Sequence, residues 1–127
     1  MKFIYAIIRI AKMNETKAAL ADAGLYSCTV SSVTGRGNGR GLGEKYQQLK
    51  ADPFNKEILA EISHMEPRLK SKRAISLVVT DDKVATAVAA IIKANQTGNS
   101  GDGKIFVTPA IESYRVRTGE HGDSTLD

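Results

Sequence analysis

Residues that usually carry chemistry are scarce in this chain. A single cysteine, Cys28, has no partner for an internal disulfide, and two histidines, His64 and His121, form no Cys/His cluster of zinc-ligand spacing. Redox and zinc chemistry are therefore poorly supported. Cys28 lies in the apolar run Tyr26 to Val33 and reads as a buried thiol acting as a small hydrophobe. No Ser/His/Asp set with recognisable surroundings and no paired carboxylates with a pocket signature occur, so no catalytic residue and no metal site are nominated. No stretch approaches the roughly 20 uninterrupted apolar residues that span a bilayer. The opening ten residues carry Lys2 and Arg9 around an apolar core too short for a signal peptide. These absences lead to the expectation of a soluble, cytoplasmic protein with no membrane span.

What is present is an ordinary folded globule: 127 residues, 42% hydrophobic and 25% charged, which fits one domain over 1–127. The net charge of +4 is unevenly placed. Between Arg36 and Arg73 stand nine Lys/Arg against five Asp/Glu, and the rest of the chain is balanced at nine against nine. Charge confined to one segment suggests a negative partner for it, although a solvated loop would look the same.

The strand and helix grammar is double. Residues 2–10 are apolar and β-branched enough for a buried strand. Asn14 is the expected N-cap of a helix with Thr16, Ala19, Leu20 and Ala23 on one face, closed by Gly24. Residues 26–33 then read as a second strand. The pattern returns with a strand at 74–79, Asp81 or Asp82 as N-cap, Val84, Val88, Ile91 and Ile92 on a helix ending near Asn95, and a strand at 104–109. Two β-α-β units in so short a chain predict an α+β, ferredoxin-like fold: a four-stranded antiparallel sheet with two helices on one face. Its other face needs a cover, and a trimer would supply one.

About 40 residues separate the two units, far more than an ordinary connection, and function is to be sought there. Five of the eleven glycines alternate through 35–43, which resists regular structure. Beyond them, Asp52 as N-cap, Pro53, and the stripe Phe54, Ile58, Leu59, Ile62 and Met65 predict an amphipathic helix. It suits either packing on its own domain or docking on another protein.

Three features have phosphate-binding character. In TGNSGDGK (97–104) three glycines and Asp102 lie between a helix end and a strand, leaving amides for an anion while Lys104 supplies charge; this is not a Walker A loop. In YRVRTG (114–119), Arg115 and Arg117 alternate, so in extended chain both guanidinium groups face one side. The third is the glycine run with Arg36, Arg40 and, at the far end of the insertion, Lys72.

The run TGNSGDGKIFVTPAIESYRVRTGEHGD (97–123) resembles the C-terminal signature of the PII signal-transduction proteins, and KFIYAIIRIAKMNETKAALADAGL resembles their first strand and helix. The likeness covers nearly all the chain except 44–70. It implies a T-loop at about 36–73, a B-loop at about 97–104 and a C-loop at about 112–123. It also implies a homotrimer, or a mixed oligomer with a paralogue, holding ATP or ADP between subunits. The nucleotide contacts implied are Thr29, Gly35, Gly37, Asn38, Lys72, Gly101, Asp102, Gly103 and Lys104, with Arg115 and Arg117 reaching a neighbour's phosphates. Partner docking would fall to Arg40, Tyr46, Phe54 and Ile58.

Family members that sense 2-oxoglutarate through bound Mg2+ carry an Arg-Gln pair where this chain has Asn38 and Gly39, so Mg2+ and 2-oxoglutarate stay open as ligands. Tyr46 is followed by QQLKA and lacks the surroundings of a uridylylated tyrosine. Asn99, Ser100, the long insertion and SKRAISLVV are most similar to the second type of the nitrogenase-regulating NifI branch, which implies dinitrogenase as the target. The competing reading is an RRM-like RNA-binding module using the Gly/Arg loop. It is weakened because KIFVTP offers only Phe106 as a stacking residue and SLVV offers none; no nucleic-acid partner is expected. An acylphosphatase-like enzyme is a more distant alternative.

Overall fold

The computed structural model describes residues 1–37, 44–62 and 68–127, with the backbone alone at 44–47 and 62. Asn38, Gly39, Arg40, His64, Met65 and the side chain of Tyr46 thus lie outside the described residues. Strand β1 (Lys2–Ile8) leads through a 3-10 turn into α1 (Met13–Asp22), then β2 (Thr29–Gly35), α2 (Glu44–Ala51), α3 (Lys56–Ile62), β3 (Lys70–Val79), α4 (Val84–Asn95) and β4 (Lys104–Pro109). The sheet order is β2-β3-β1-β4, with every neighbouring pair antiparallel. This is the expected ferredoxin-like arrangement.

Alternation along the strands sorts the two faces. Ile4, Ala6 and Ile8 of β1 and Ile75, Leu77 and Val79 of β3 are buried and pack with Met13 and Leu20 of α1 and Ala87 and Ile91 of α4. Both helices therefore lie on one face. The β1 residues between them point the other way, where Phe3 stacks beside Tyr5 with centroids 6.3 Å apart and Phe106 is half exposed.

One polar contact is built into this core. Asn95 Nδ2 donates to Thr16 Oγ1 at 2.9 Å and to the Ile91 carbonyl at 2.8 Å, while Thr16 Oγ1 donates to the Lys12 carbonyl at 2.7 Å. Thr16→Val keeps the shape but strips a buried amide of one of its two acceptors. The expected cost is about 1–3 kcal/mol, read by urea denaturation; a change below about 0.5 kcal/mol would contradict this role.

Several boundaries differ from expectation. Met13 is needed in the core, so α1 begins there, with Lys12 and not Asn14 at the cap position. Asp81 and Asp82 sit in a 3-10 turn ahead of α4, and the Asp81 carboxylate pairs with the Met1 ammonium and with Lys2, each at 3.2 Å. On α4 the buried line is Ala87, Ile91 and Asn95, leaving Ile92 half exposed. Strand β2 starts at Thr29 instead of 26, because Leu25 is anchored in the core and residues 26–28 must travel from it to the sheet edge; Cys28 is consequently exposed, not buried. Gly24, at φ 80°, closes α1 as expected. In the insertion, α2 was not foreseen, although Glu44 to Ala51 is a run of good helix formers. The cap of α3 is Asn55, whose Oδ1 accepts from the amides of Glu57 at 3.0 Å and Ile58 at 3.1 Å, whereas Asp52 belongs to the turn after α2.

Candidate functional site

Strand β3 extends further than expected toward the insertion, its ladder running to Gly35↔Lys70. Lys72 is therefore a strand residue opposite Val33, and it stands beside Arg9, the residue that follows β1. Both cations meet the glycine loop 97–104. Lys72 Nζ donates to the Gly101 carbonyl at 3.0 Å. Arg9 Nη2 donates to the Ser100 carbonyl at 3.0 Å and Nη1 to Asp102 Oδ1 at 2.6 Å.

Asp102 braces this loop. Its carboxylate accepts from Arg9, from the Thr97 hydroxyl, and from the amides of Thr97 at 2.8 Å and Gly98 at 2.9 Å. Burial pushes its pKa up, but the hydrogen bonds from Thr97, Arg9 and Gly98 outweigh this and hold the carboxyl well below the usual carboxylate range. The amides of Thr97 and Gly98 are thereby consumed within the loop, not left free as expected. Those of Ser100, Gly101 and Gly103 have no acceptor among the described residues.

Two glycines are sterically required. Gly101 has φ 96°, and a Cβ there would crowd Arg9 Nη2 at 3.1 Å; Gly103 has φ 112°, and a Cβ would run into the Ile7 carbonyl oxygen. The loop can thus lie flat on the end of β1. Lys104 follows as the first residue of β4, opposite Ile7. The Lys72 ammonium is pushed below its ordinary pKa, first by burial, then by the positive charge of Arg9 and Lys70, with Asp102 opposing. A cation held below its ordinary pKa by burial and by neighbouring positive charge marks a place where an anion is favoured.

The other expected residues are not gathered here. Thr29 lies four residues along β2 from Val33, roughly 13 Å by strand rise. Gly35 ends β2, and a Cβ at Gly35 or Gly37 would meet open space. Residues 114–119 are not extended: the Arg115 carbonyl accepts from the amides of Thr118 and Gly119, and Gly119 at φ 73° closes the turn. Arg115 and Arg117 therefore do not present a common side. The Arg115 guanidinium is tied to Glu120 at 2.9 Å, whereas Arg117 is exposed. In the insertion Phe54 is 86% exposed between α2 and α3, and Ile58 is half-buried.

A cleft of about 380 Å³ lies on the helix side, lined by Ile8, Ile91, Asn95 and Ile105 together with Asp102 and Gly103 of the loop. Lys104 lines it too, whereas Arg9 and Lys72 do not, so the cleft adjoins the cationic cluster across the 97–104 loop. Arg9 is the residue that sequence reasoning missed. Ninety-three positions separate it from Asp102, and its only local signal was a cation closing an apolar strand.

Known proteins resemble the chain over nearly its whole length. The family described as "Nitrogen regulatory protein P-II" matches residues 1–120. A "Nitrogen fixation nifHD region GlnB-like protein 2" of Methanobacterium ivanovii is 42% identical over 127 residues, covering 99% of both chains. A "Nitrogen regulatory protein P-II 2" of Methanothermobacter thermautotrophicus is 42% identical over 126 residues, covering 99% of this chain and 97% of the relative. The "Nitrogen regulatory protein P-II" of Nostoc punctiforme is 38% identical over 120 residues, covering 94% and 95%.

Proposed function

The chain belongs to the nitrogen regulatory protein P-II family, and on that premise we propose that it is a non-catalytic sensor binding ATP or ADP. The phosphates lie over the 97–104 loop beside Lys72 and Lys104, and Gly101 and Gly103 provide the close approach. The observation that carries the proposal is the Lys72 to Gly101 hydrogen bond. It joins the strand at the base of the T-loop to the phosphate loop, so a ligand that reorganises one reorganises the other. Binding shifts the T-loop only by the difference in nucleotide affinity between its two states.

Arg115 and Arg117 lie apart from the 97–104 loop of their own chain, and Thr29 lies far along the sheet, which fits a site completed by a neighbouring subunit. The half-exposed Phe3 and Phe106 on the helix-free face fit an oligomer too. A homotrimer, or a hetero-oligomer with a paralogue, would bury them, and burial in such an interface leaves the aromatics no role in stacking RNA bases.

The T-loop docks on a target enzyme, with Phe54 exposed between its two helices and Arg40, Tyr46 and Ile58 as further contacts. Dinitrogenase is the proposed target because a relative from Methanobacterium ivanovii is named for a nitrogen-fixation region. Mg2+ would accompany ATP as its counter-ion, offsetting the phosphate charge. Arg9 and Lys72, two cations beside one loop, suit the carboxylates of 2-oxoglutarate, which is proposed as a modulator even though Gly39 stands where a magnesium-binding glutamine is usual.

A double variant, Arg115→Ala with Arg117→Ala, is expected to keep its oligomeric state by light scattering while losing roughly tenfold or more in ATP affinity, each lost charge-assisted contact being worth about 1.5–3 kcal/mol. Unchanged affinity would remove these arginines from the site.

A further inference from the structure

We infer that the C-terminal segment holds its own phosphate-binding arginine in a carboxylate cage, which nucleotide phosphates must displace. This rests on the reading of Arg115 as a phosphate ligand. Arg115 Nη1 donates to Glu120 Oε2 at 2.9 Å, and Nη2 faces the Ser124 carbonyl at 3.4 Å and Asp127 Oδ1 at 3.5 Å. Both terminal nitrogens of the guanidinium are thus engaged by acceptors of the same segment.

The backbone sets up this cage. The turn after Arg115 closes at Gly119, and the Arg115 amide then donates to the Glu120 carbonyl at 2.8 Å, which returns Glu120 beside the arginine. Asp127 is also within reach of the Ser27 hydroxyl at 3.5 Å, which ties the last residues to the segment after α1. Arg117, two residues on, is exposed outside this cage. A guanidinium fork meets a carboxylate or a phosphate with the same donors. While Glu120 occupies it, the apparent affinity for nucleotide falls by the fraction of molecules locked.

The test is a cycle of Glu120→Gln and Arg115→Ala read by calorimetric titration with MgATP. Glu120 and Arg115 are partly solvated, so Glu120→Gln is expected to tighten binding about three- to fivefold, the worth of such a pair. Arg115→Ala alone weakens binding, and adding Glu120→Gln to it gives no further gain. Unchanged or weaker binding by Glu120→Gln, with Arg115→Ala still harmful, overturns the cage and leaves the site standing. A gain that persists without Arg115 also overturns it, because general repulsion of the nucleotide by Glu120 would then be the cause. If Arg115→Ala has no effect, the assignment of Arg115 as a phosphate ligand falls, and the cage with it.

Discussion

Gly103→Ala is expected to destabilise the protein by about 3–5 kcal/mol, combining a backbone angle hostile to L-residues with overpacking against a neighbour that cannot yield. Gly103 adopts φ 112°, and the added methyl would meet the Ile7 carbonyl oxygen, a backbone atom in the middle of the sheet. Ile7 is paired on both sides, with Ala74 of β3 and Lys104 of β4, so relief would have to come from the loop. Displacing the loop pulls Lys104 and Gly101 away from Lys72 and Arg9. The variant should therefore lose MgATP binding even where it stays folded at low temperature. Urea denaturation gives the stability; a loss below about 1 kcal/mol would mean that the loop does not lie on β1 as described.

Asp102→Ala has the second large effect. It removes the acceptor shared by Thr97, Gly98 and Arg9, leaving two amides and Arg9 Nη1 without their partner, while Arg9 Nη2 keeps the Ser100 carbonyl. We expect MgATP affinity to fall by roughly 100-fold, since each charge-assisted bond in such a network is worth about 1.5–3 kcal/mol and a preorganised loop is lost. An effect under about threefold would show that Asp102 does not brace the phosphate loop.

The same carboxyl gives a pH signature. Its folded pKa lies below the unfolded value of about 3.9, so its contribution to stability is fully present above that value and is lost as the pH falls further through the folded pKa. The stability gap between wild type and Asp102→Asn should be constant from about pH 7 to pH 5 and should close in stronger acid. A gap that widens on acidification would contradict the sign of the shift.

Much of the sheet was legible in the sequence because β1, α1 and α4 each bury one face. Ile4, Ala6 and Ile8 alternate, and Thr16 and Leu20 recur at helical spacing. Helix starts were less legible. They depend on which side chain the core demands first, as Met13 does, and on rival partners, as when Asp81 turns to the Met1 ammonium and Lys2 instead of capping α4.

The glycine loop was recognisable by composition, but its wiring was not. The role of Asp102 depends on Arg9, brought from the far end of the chain by the β1–β4 pairing. Alternation of Arg115 and Arg117 predicted a shared side only on the assumption of extended chain, and the turn closed by Gly119 removes it. Cys28 looked buried from its neighbours' hydrophobicity, yet an edge position exposes it.

The central claim is that this is a nucleotide sensor, and calorimetric titration of the purified protein with MgATP, repeated with 2-oxoglutarate present, tests it most directly. The prediction is saturable binding at about one ATP per chain, as expected for one loop and one completing neighbour per site, with 2-oxoglutarate altering the affinity through Arg9 and Lys72. Absence of binding by both ATP and ADP, in protein shown to be folded and alone or mixed with a P-II paralogue, would contradict it.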